Sequence, residues 1–293
     1  MAVKTEQLDQ WHSEGQYMAF KADDGEHSIF YRDTAEDNKP VLLLIHGFPT
    51  CSWDWAKIWS QLNKHFRLVT LDMLGFGFSD KPDRAYSIFE QADIFEQLLI
   101  QLDINQYHIL AHDYGDTVAQ ELLARNSSGK LLSVVFSNGG LFPETHHPVL
   151  VQKLLLSPLG AIISKLMSYK KFKANFDKIC AKNLSDAELQ SYWQMILHKQ
   201  GNQIFHRLIT YMLERRKHRE RWVAPMVNAQ VPLHLVDGIL DPISGGHMVQ
   251  RYRELIPNPN VTELKDTGHY PQVESPQAFL EGCLGFWIAK SII

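Results

Sequence analysis

HILAHDYGDTVAQELLAR, residues 108–125, begins as an apolar run and ends as a pattern of helical spacing, with Ala111-His112-Asp113-Tyr114-Gly115 between them. A short buried run that becomes a helix within five residues marks a sharp strand-to-helix turn. Ala111 and Gly115 bracket the turn, and small residues are needed there because the backbone crowds both strand and helix. The residue lifted at the centre is Asp113. Two readings stand at this point: a carboxylate that caps the helix, or a nucleophile displayed at a strand end.

Outward from this turn, residues 41–45 (VLLLI), 68–71, 108–111 and 132–136 read as short strands apolar on both faces. Helical patterns lie between them at 55–62, 89–102 and 117–125. That alternation is how a parallel sheet covered on both sides reads. From about residue 143 to 222 the pattern is helical without a strand; the rhythm resumes at 231–236 and 261–264 and ends in a helix at 276–289. The expected fold is therefore α/β: a mostly parallel central sheet with helices on both faces and a helical cap insertion. The core is residues 1–142 and 223–293, and the cap 143–222.

The 293 residues suffice for one large domain with an insertion. The net charge of −4 gives no support to nucleic-acid binding. The run ERRKHRER (residues 214–221) mixes signs and reads as a solvated helix face. Cys51, Cys180 and Cys283 show no CxxC spacing, which fits a reducing compartment rather than zinc or disulfides. MAVKTEQLDQWHSEGQ has no apolar core of a leader, and LLLSPLGAIISKLM (residues 154–167) is too short to span a bilayer. A cytoplasmic location is expected, with no membrane span; oligomeric state is left open.

Ligands of open α/β sheets bind beyond the carboxyl ends of the strands. Five loops so placed hold unusual residues: HGFPTCSWDW (46–55), DMLGFGFSDKP (72–82), the Asp113 turn, DGILDPIS (237–244) and DTGHYPQVESP (266–276). Gly75-Phe76-Gly77 is no dinucleotide loop, since Asp80 stands where a third glycine belongs. Neither a cofactor nor a metal is expected. Asp113, Asp241 and His269 follow one another in the chain order nucleophile, acid, base. With an oxyanion loop at His46 to Pro49, this company favours catalysis over capping for Asp113. His46 and His112 flank the site and read as supports. His146 and His147 lack a third ligand at metal spacing, so they read as loop polarity. Asp116 reads as a first-turn carboxylate favoured by the helix dipole.

These stretches resemble the α/β-hydrolases of the epoxide hydrolase and haloalkane dehalogenase branch over essentially the full length. HDYGDTVAQELL, SNGGLFPETHHP and RERW resemble a narrower group, that of the mesoderm-specific transcript protein and its bacterial relatives. The resemblance implies an aspartate nucleophile and a covalent alkyl-enzyme ester, hydrolysed by water that His269, oriented by Asp241, activates. It places the backbone N–H groups of Phe48 and Tyr114 as the oxyanion hole. It implies a small apolar organic substrate, with His46, Trp53 and His112 near its pocket; Trp55 is the other tryptophan of that loop.

A carboxylate suits displacement at a saturated carbon, since it is ionised near neutral pH. Dehalogenases of this branch have a tryptophan after the nucleophile and often an asparagine after the His-Gly pair; here those positions are Tyr114 and Phe48. Epoxide hydrolases use two cap tyrosines as acids. Tyr211 matches the second by motif, whereas Tyr169 lies too early and Tyr192 too late for the first. Tyr211 also belongs to an apolar stripe with Ile204, Leu208 and Met212, so packing alone could account for it. The expectation is epoxide hydrolysis to a diol, with haloalkane dehalogenation as the alternative. A non-catalytic binding module on the same fold would turn over nothing and would bind its partner equally well as Asp113→Ala.

Overall fold

The computed structural model describes residues 6–293; the first five residues of the stretch read for a leader lie outside the described residues. Strands β1 (Gln16–Ala22), β2 (Gly25–Asp33), β3 (Val41–Ile45), β4 (Arg67–Leu71), β5 (Tyr107–Ala111), β6 (Leu131–Phe136), β7 (Leu233–Gly238) and β8 (Val261–Leu264) form one sheet. Its order is β1-β2-β4-β3-β5-β6-β7-β8. β1 and β2 are antiparallel to their neighbours, and the remaining strands run parallel. Leu42 to Ile45 and all of β5 are buried, as a sheet covered on both faces requires.

The helices before the insertion are α1 (Glu6–Ser13), α2 (Ala56–Leu62), α3 (Ile88–Gln101) and α4 (Tyr114–Ala124). Between β6 and β7 come α5 (Leu150–Leu155), α6 (Gly160–Lys165), α7 (Tyr169–Ile179), α8 (Asp186–Leu197), α9 (Phe205–Leu208), α10 (Tyr211–Lys217) and α11 (Arg219–Val227), with a 3-10 segment at His198–Ile204. α12 (Gly246–Leu255), α13 (Pro271–Glu274) and α14 (Pro276–Ala289) complete the chain. Local chemistry starts several of them. The Ser87 hydroxyl accepts from Phe89 N–H at α3, and Ser185 with Glu188 forms a capping box at α8. α14 starts at Pro276 and buries Phe279, Leu280, Phe286 and Trp287, each contributing roughly 1.5–3 kcal/mol. No helix among the described residues is long and apolar enough to cross a membrane.

The sheet differs from the expectation at two places. β1 and β2 were not read as strands, because QYMAFKA and GEHSIFYRD alternate exposed and buried positions instead of forming an apolar run. Ala22 pairs with Gly25 across Asp23-Asp24, and Gly25 has φ 137°, so the DDG turn was the available signal. β7 begins at Leu233 rather than residue 231, and Pro232 contributes only its carbonyl, to Val134 N–H. The strand also runs on to Gly238, so Asp237 lies inside it, not in the loop after it.

The run 214–221 is a solvated face only in part: Arg216, Lys217, Glu220 and Arg221 are exposed, while other members face the protein. Glu214 accepts from Ile88 N–H at the start of α3, and Arg215 is buried. Arg219 pairs with Glu144, while Arg221 and the Trp222 indole both donate to Glu121, a fully buried carboxylate on α4. Arg125 donates to the same carboxylate. Glu214, Arg219 and Arg221 thus fasten α10 and α11 to the core, and the exposed members of the run face water.

Candidate active site

β5 and α4 meet at Asp113, whose φ of 50° and ψ of −110° lie outside the common regions for a residue with a side chain. The surroundings hold it there. A β-carbon at Gly115 would lie 2.4 Å from Ile45 O, so only glycine lets α4 start this close to β3. Asp113 occupies the N-cap position of α4, yet its side chain makes no capping bond. The capping alternative is thereby answered by geometry.

Instead the carboxylate faces outward. Oδ2 accepts from Phe48 N–H at 3.0 Å, Oδ1 lies 3.9 Å from His269 Nε2, and the Tyr211 hydroxyl donates to Oδ1 across a long 3.5 Å. Burial raises the Asp113 pKa, opposed by His269 and by the backbone N–H groups of Phe48 and Tyr114. The Phe48–Pro49 peptide is cis.

His269 Nδ1 is 2.7 Å from Asp241 Oδ2. Burial alone would lower the imidazole pKa, but Asp241, and next Asp113, hold it at about 9. Asp241 stays below the ordinary carboxylate range despite burial, because it accepts from His269, Ile243 N–H and Asn138. Ser244 adds its hydroxyl at 2.9 Å. Glu274 fixes the histidine loop from both sides, accepting from Gly268 N–H and Tyr270 N–H. Neither Asn138 nor Glu274 was singled out from sequence; Asn138 sits in the quoted SNGG stretch, and nothing in spacing marked Glu274.

The remaining expected residues are scattered. His46 is neutral, its pKa lowered by burial to about 4, and its ring bridges Gly47 O and Met73 N–H. His112, lowered by burial to about 3, donates Nε2–H to His269 O. Neither lines the cavity at Asp113. Trp53 does not line it either; it packs edge-on against Tyr192 at 5.0 Å and borders a separate cleft with Trp11, Trp59 and Arg32. Trp55 is wholly buried. The Tyr192 hydroxyl engages Asp54, and that of Tyr169 engages Asp186 at 2.7 Å, so neither supplies a second phenol to Asp113. Ile204, Leu208, Tyr211 and Met212 are all buried, so the stripe does pack while Tyr211 also touches Asp113. His147 stacks on His247 at 4.1 Å. Asp116 is wholly buried and accepts from Ser137 N–H, with burial raising its pKa; it braces the loop after β6, more than the helix dipole reading supposed.

Beside Asp113 and His269, the cavity is walled by Phe48, Phe172, Phe176, Phe205, Leu155 and Ile243, with Gln152 and Asn175 as polar points. Several of these walls come from the helices between β6 and β7, which cover the strand ends.

Comparison with known proteins identifies the family of this fold. Residues 40–160 match the α/β-hydrolase fold family. The mesoderm-specific transcript homologue of Bos taurus is 42% identical over 296 residues, covering 95% of this chain and 87% of that protein. LipZ of Mycobacterium tuberculosis is 38% identical over 267 residues, covering 89% and 92%. The structure of haloalkane dehalogenase DbeA from Bradyrhizobium elkani superposes with a TM-score of 0.75 at 22% identity, covering 94% of this chain and 98% of that one, a likeness of fold. The chain belongs to the α/β-hydrolase fold family and, within it, to the group of the mesoderm-specific transcript protein and its relatives.

Proposed function

We propose that this hydrolase uses the Asp113 carboxylate as its nucleophile and opens small apolar epoxides to diols through an ester on that residue. The observation that carries the reading is the setting of one oxygen: Asp113 Oδ1 faces both the Tyr211 hydroxyl and His269 Nε2, while Oδ2 is held by Phe48 N–H. Oδ1 would bond to a ring carbon as the C–O bond breaks, and the oxygen released would take the Tyr211 proton. Such general-acid assistance is worth about 10²–10⁴-fold.

Esterification removes the Asp113 charge, one of the causes that keep the His269 pKa high. The imidazolium can then lose its proton to solvent, and the neutral imidazole takes a proton from the water that attacks the ester carbonyl. The oxyanion would fall to the N–H groups of Phe48 and Tyr114, worth about 3–4 kcal/mol per donor. Residues 143–222 act in this reading as the cap that shapes the apolar pocket and brings the Tyr211 hydroxyl to Asp113. Halide release is less well served. Phe48 has no side-chain donor, and the Tyr114 hydroxyl is engaged with Gln91.

The test is His269→Gln incubated with styrene oxide and, separately, 1-bromohexane. An adduct from the epoxide, mapped to Asp113 by peptide mass spectrometry, is the expected result. Label on a serine or on Cys51 or Cys180, or full turnover by this variant, refutes the scheme. An adduct from the bromide alone makes the enzyme a dehalogenase.

A further inference from the structure

α10 brings a second polar side chain toward the site. Arg215 stands one turn after Tyr211, so the two share a helix face. It is 3% exposed, and among the described residues its guanidinium forms no ion pair; Nε and Nη2 are buried without a hydrogen-bond partner. A β-carbon at Gly140 would lie 1.8 Å from Nη2, so that glycine is what makes room for the guanidinium. Cζ sits 5.7 Å from the Tyr211 ring centroid, and the group interacts with the Tyr211 hydroxyl and with the charges of Asp113 and Asp116. A buried cation without an ion pair is costly. A negative charge that appears beside it during the reaction would offset that cost.

We propose that Arg215 is a positioning residue that acts through Tyr211, holding the tyrosinate formed when Tyr211 protonates the epoxide oxygen. The inference rests on Tyr211 being that acid. In the first step the Asp113 Oδ1–carbon bond forms, the ring C–O bond breaks with its electron pair on oxygen, and that oxygen takes the Tyr211 proton. One negative charge leaves Asp113 and one arrives on Tyr211, and Arg215 interacts with both. In the second step water gives one proton to His269 and adds to the ester carbon. The diol departs with the His269 proton. The second water proton, left on the regenerated Asp113 carboxyl, returns to Tyr211.

Burial and the Asp113 charge both raise the Tyr211 pKa, and Arg215 opposes them. Esterification cancels the Asp113 contribution and leaves that of Arg215, so the phenol becomes more acidic in step with the alkoxide that needs its proton.

The test is a double-mutant cycle in the His269→Gln background, where only the first step proceeds. Adduct formation from styrene oxide is timed by rapid quench and intact-mass spectrometry for the parent, Tyr211→Phe, Arg215→Met and the double variant. Arg215→Met should slow alkylation about 10–100-fold, the worth of a hydrogen bond to a charged group. The double variant should be no slower than Tyr211→Phe, because the arginine then has nothing to act through. An unchanged rate in Arg215→Met overturns the proposal, as does an equal loss with and without Tyr211. An unaffected Tyr211→Phe instead removes the reading of Tyr211 as acid, a separate outcome. Should the methionine variant not fold, Arg215→Lys keeps the charge but not the planar fork. It should slow alkylation less, and again only when Tyr211 is present.

Discussion

Replacing Asp241 by Asn tests the charge behind His269, and the structure sets both the direction and the size of the effect. Asp241 Oδ2 accepts from His269 Nδ1 (2.7 Å), Ser244 Oγ (2.9 Å), Asn138 Nδ2 (3.1 Å) and Ser244 N–H (3.2 Å), whereas Oδ1 accepts from Ile243 N–H (2.8 Å). An amide with its oxygen at the Oδ2 position keeps all four of the first set and sets its NH₂ against one N–H. The opposite orientation confronts several donors. The oxygen should therefore stay toward His269, which keeps its tautomer, and the loss should fall below the ~10⁴-fold of a wrong-tautomer triad. What disappears is the negative charge. Asp241 is the leading cause that raises the imidazole from its ordinary 6.5 to about 9. At about 1.4 kcal/mol per pKa unit, that difference bounds the slowing of ester hydrolysis at about 10²–10³-fold. Asp237 is the control. Its carboxyl is wholly buried with neither oxygen hydrogen-bonded, and burial raises its pKa. Asp237→Asn should change hydrolysis by less than about 2-fold, because neither oxygen is bonded to His269 or Asp113 and an amide fills the same space. Single-turnover decay of the styrene oxide adduct measures both variants. A larger effect for Asp237→Asn, or no effect for Asp241→Asn, would refute the assignment of the acid.

Two further outcomes follow from charges elsewhere. Asp113→Asn removes an anion 3.9 Å from His269 Nε2, so the imidazole pKa should fall from about 9, read from its Cε1–H proton shift in an NMR titration; an unmoved pKa would mean that Asp113 and His269 do not sense each other. The sign for stability is set by the same shift: a raised His269 pKa stabilises the fold fully below about 6.5, and that contribution is lost as pH climbs through about 9. Glu121→Gln weakens the carboxylate that receives Arg125, Arg221 and the Trp222 indole and ties α11 to α4. The arginines are partly exposed and can rehydrate, so the cost should be about 2 kcal/mol, a melting midpoint lowered by roughly 4–8 °C; an unchanged midpoint in calorimetry would show that the cluster contributes nothing.

Much of the scaffold was legible because buried parallel strands write themselves as unbroken apolar runs. VLLLI and the 108–111 run appear almost at their observed limits, and the alternation with helical spacing gave the layer arrangement. β1 and β2 escaped because half-exposed strands alternate, and only the DDG turn between them was diagnostic. The charged run 214–221 was legible only in its exposed half, for a related reason. Composition reports that charges are present but not which partners face them, and Glu121 lies about a hundred residues away in the chain.

Chain order alone determined the residues that face one another at the strand ends. A tight turn needs small residues, and strand-following loops in a parallel sheet converge on one edge, so Asp113, Asp241 and His269 could be grouped from their positions. Which oxygen of Asp113 meets which group, and whether Tyr211 packs, reacts or does both, depended on how α10 crosses the sheet edge. That crossing is set by contacts between distant segments: Glu214 on α3, Arg221 and Trp222 on Glu121, and Arg215 over Gly140. Local periodicity encodes none of these pairings, because each becomes favourable only once both segments have left water together, and so only the tertiary structure could place Tyr211 and Arg215 beside Asp113.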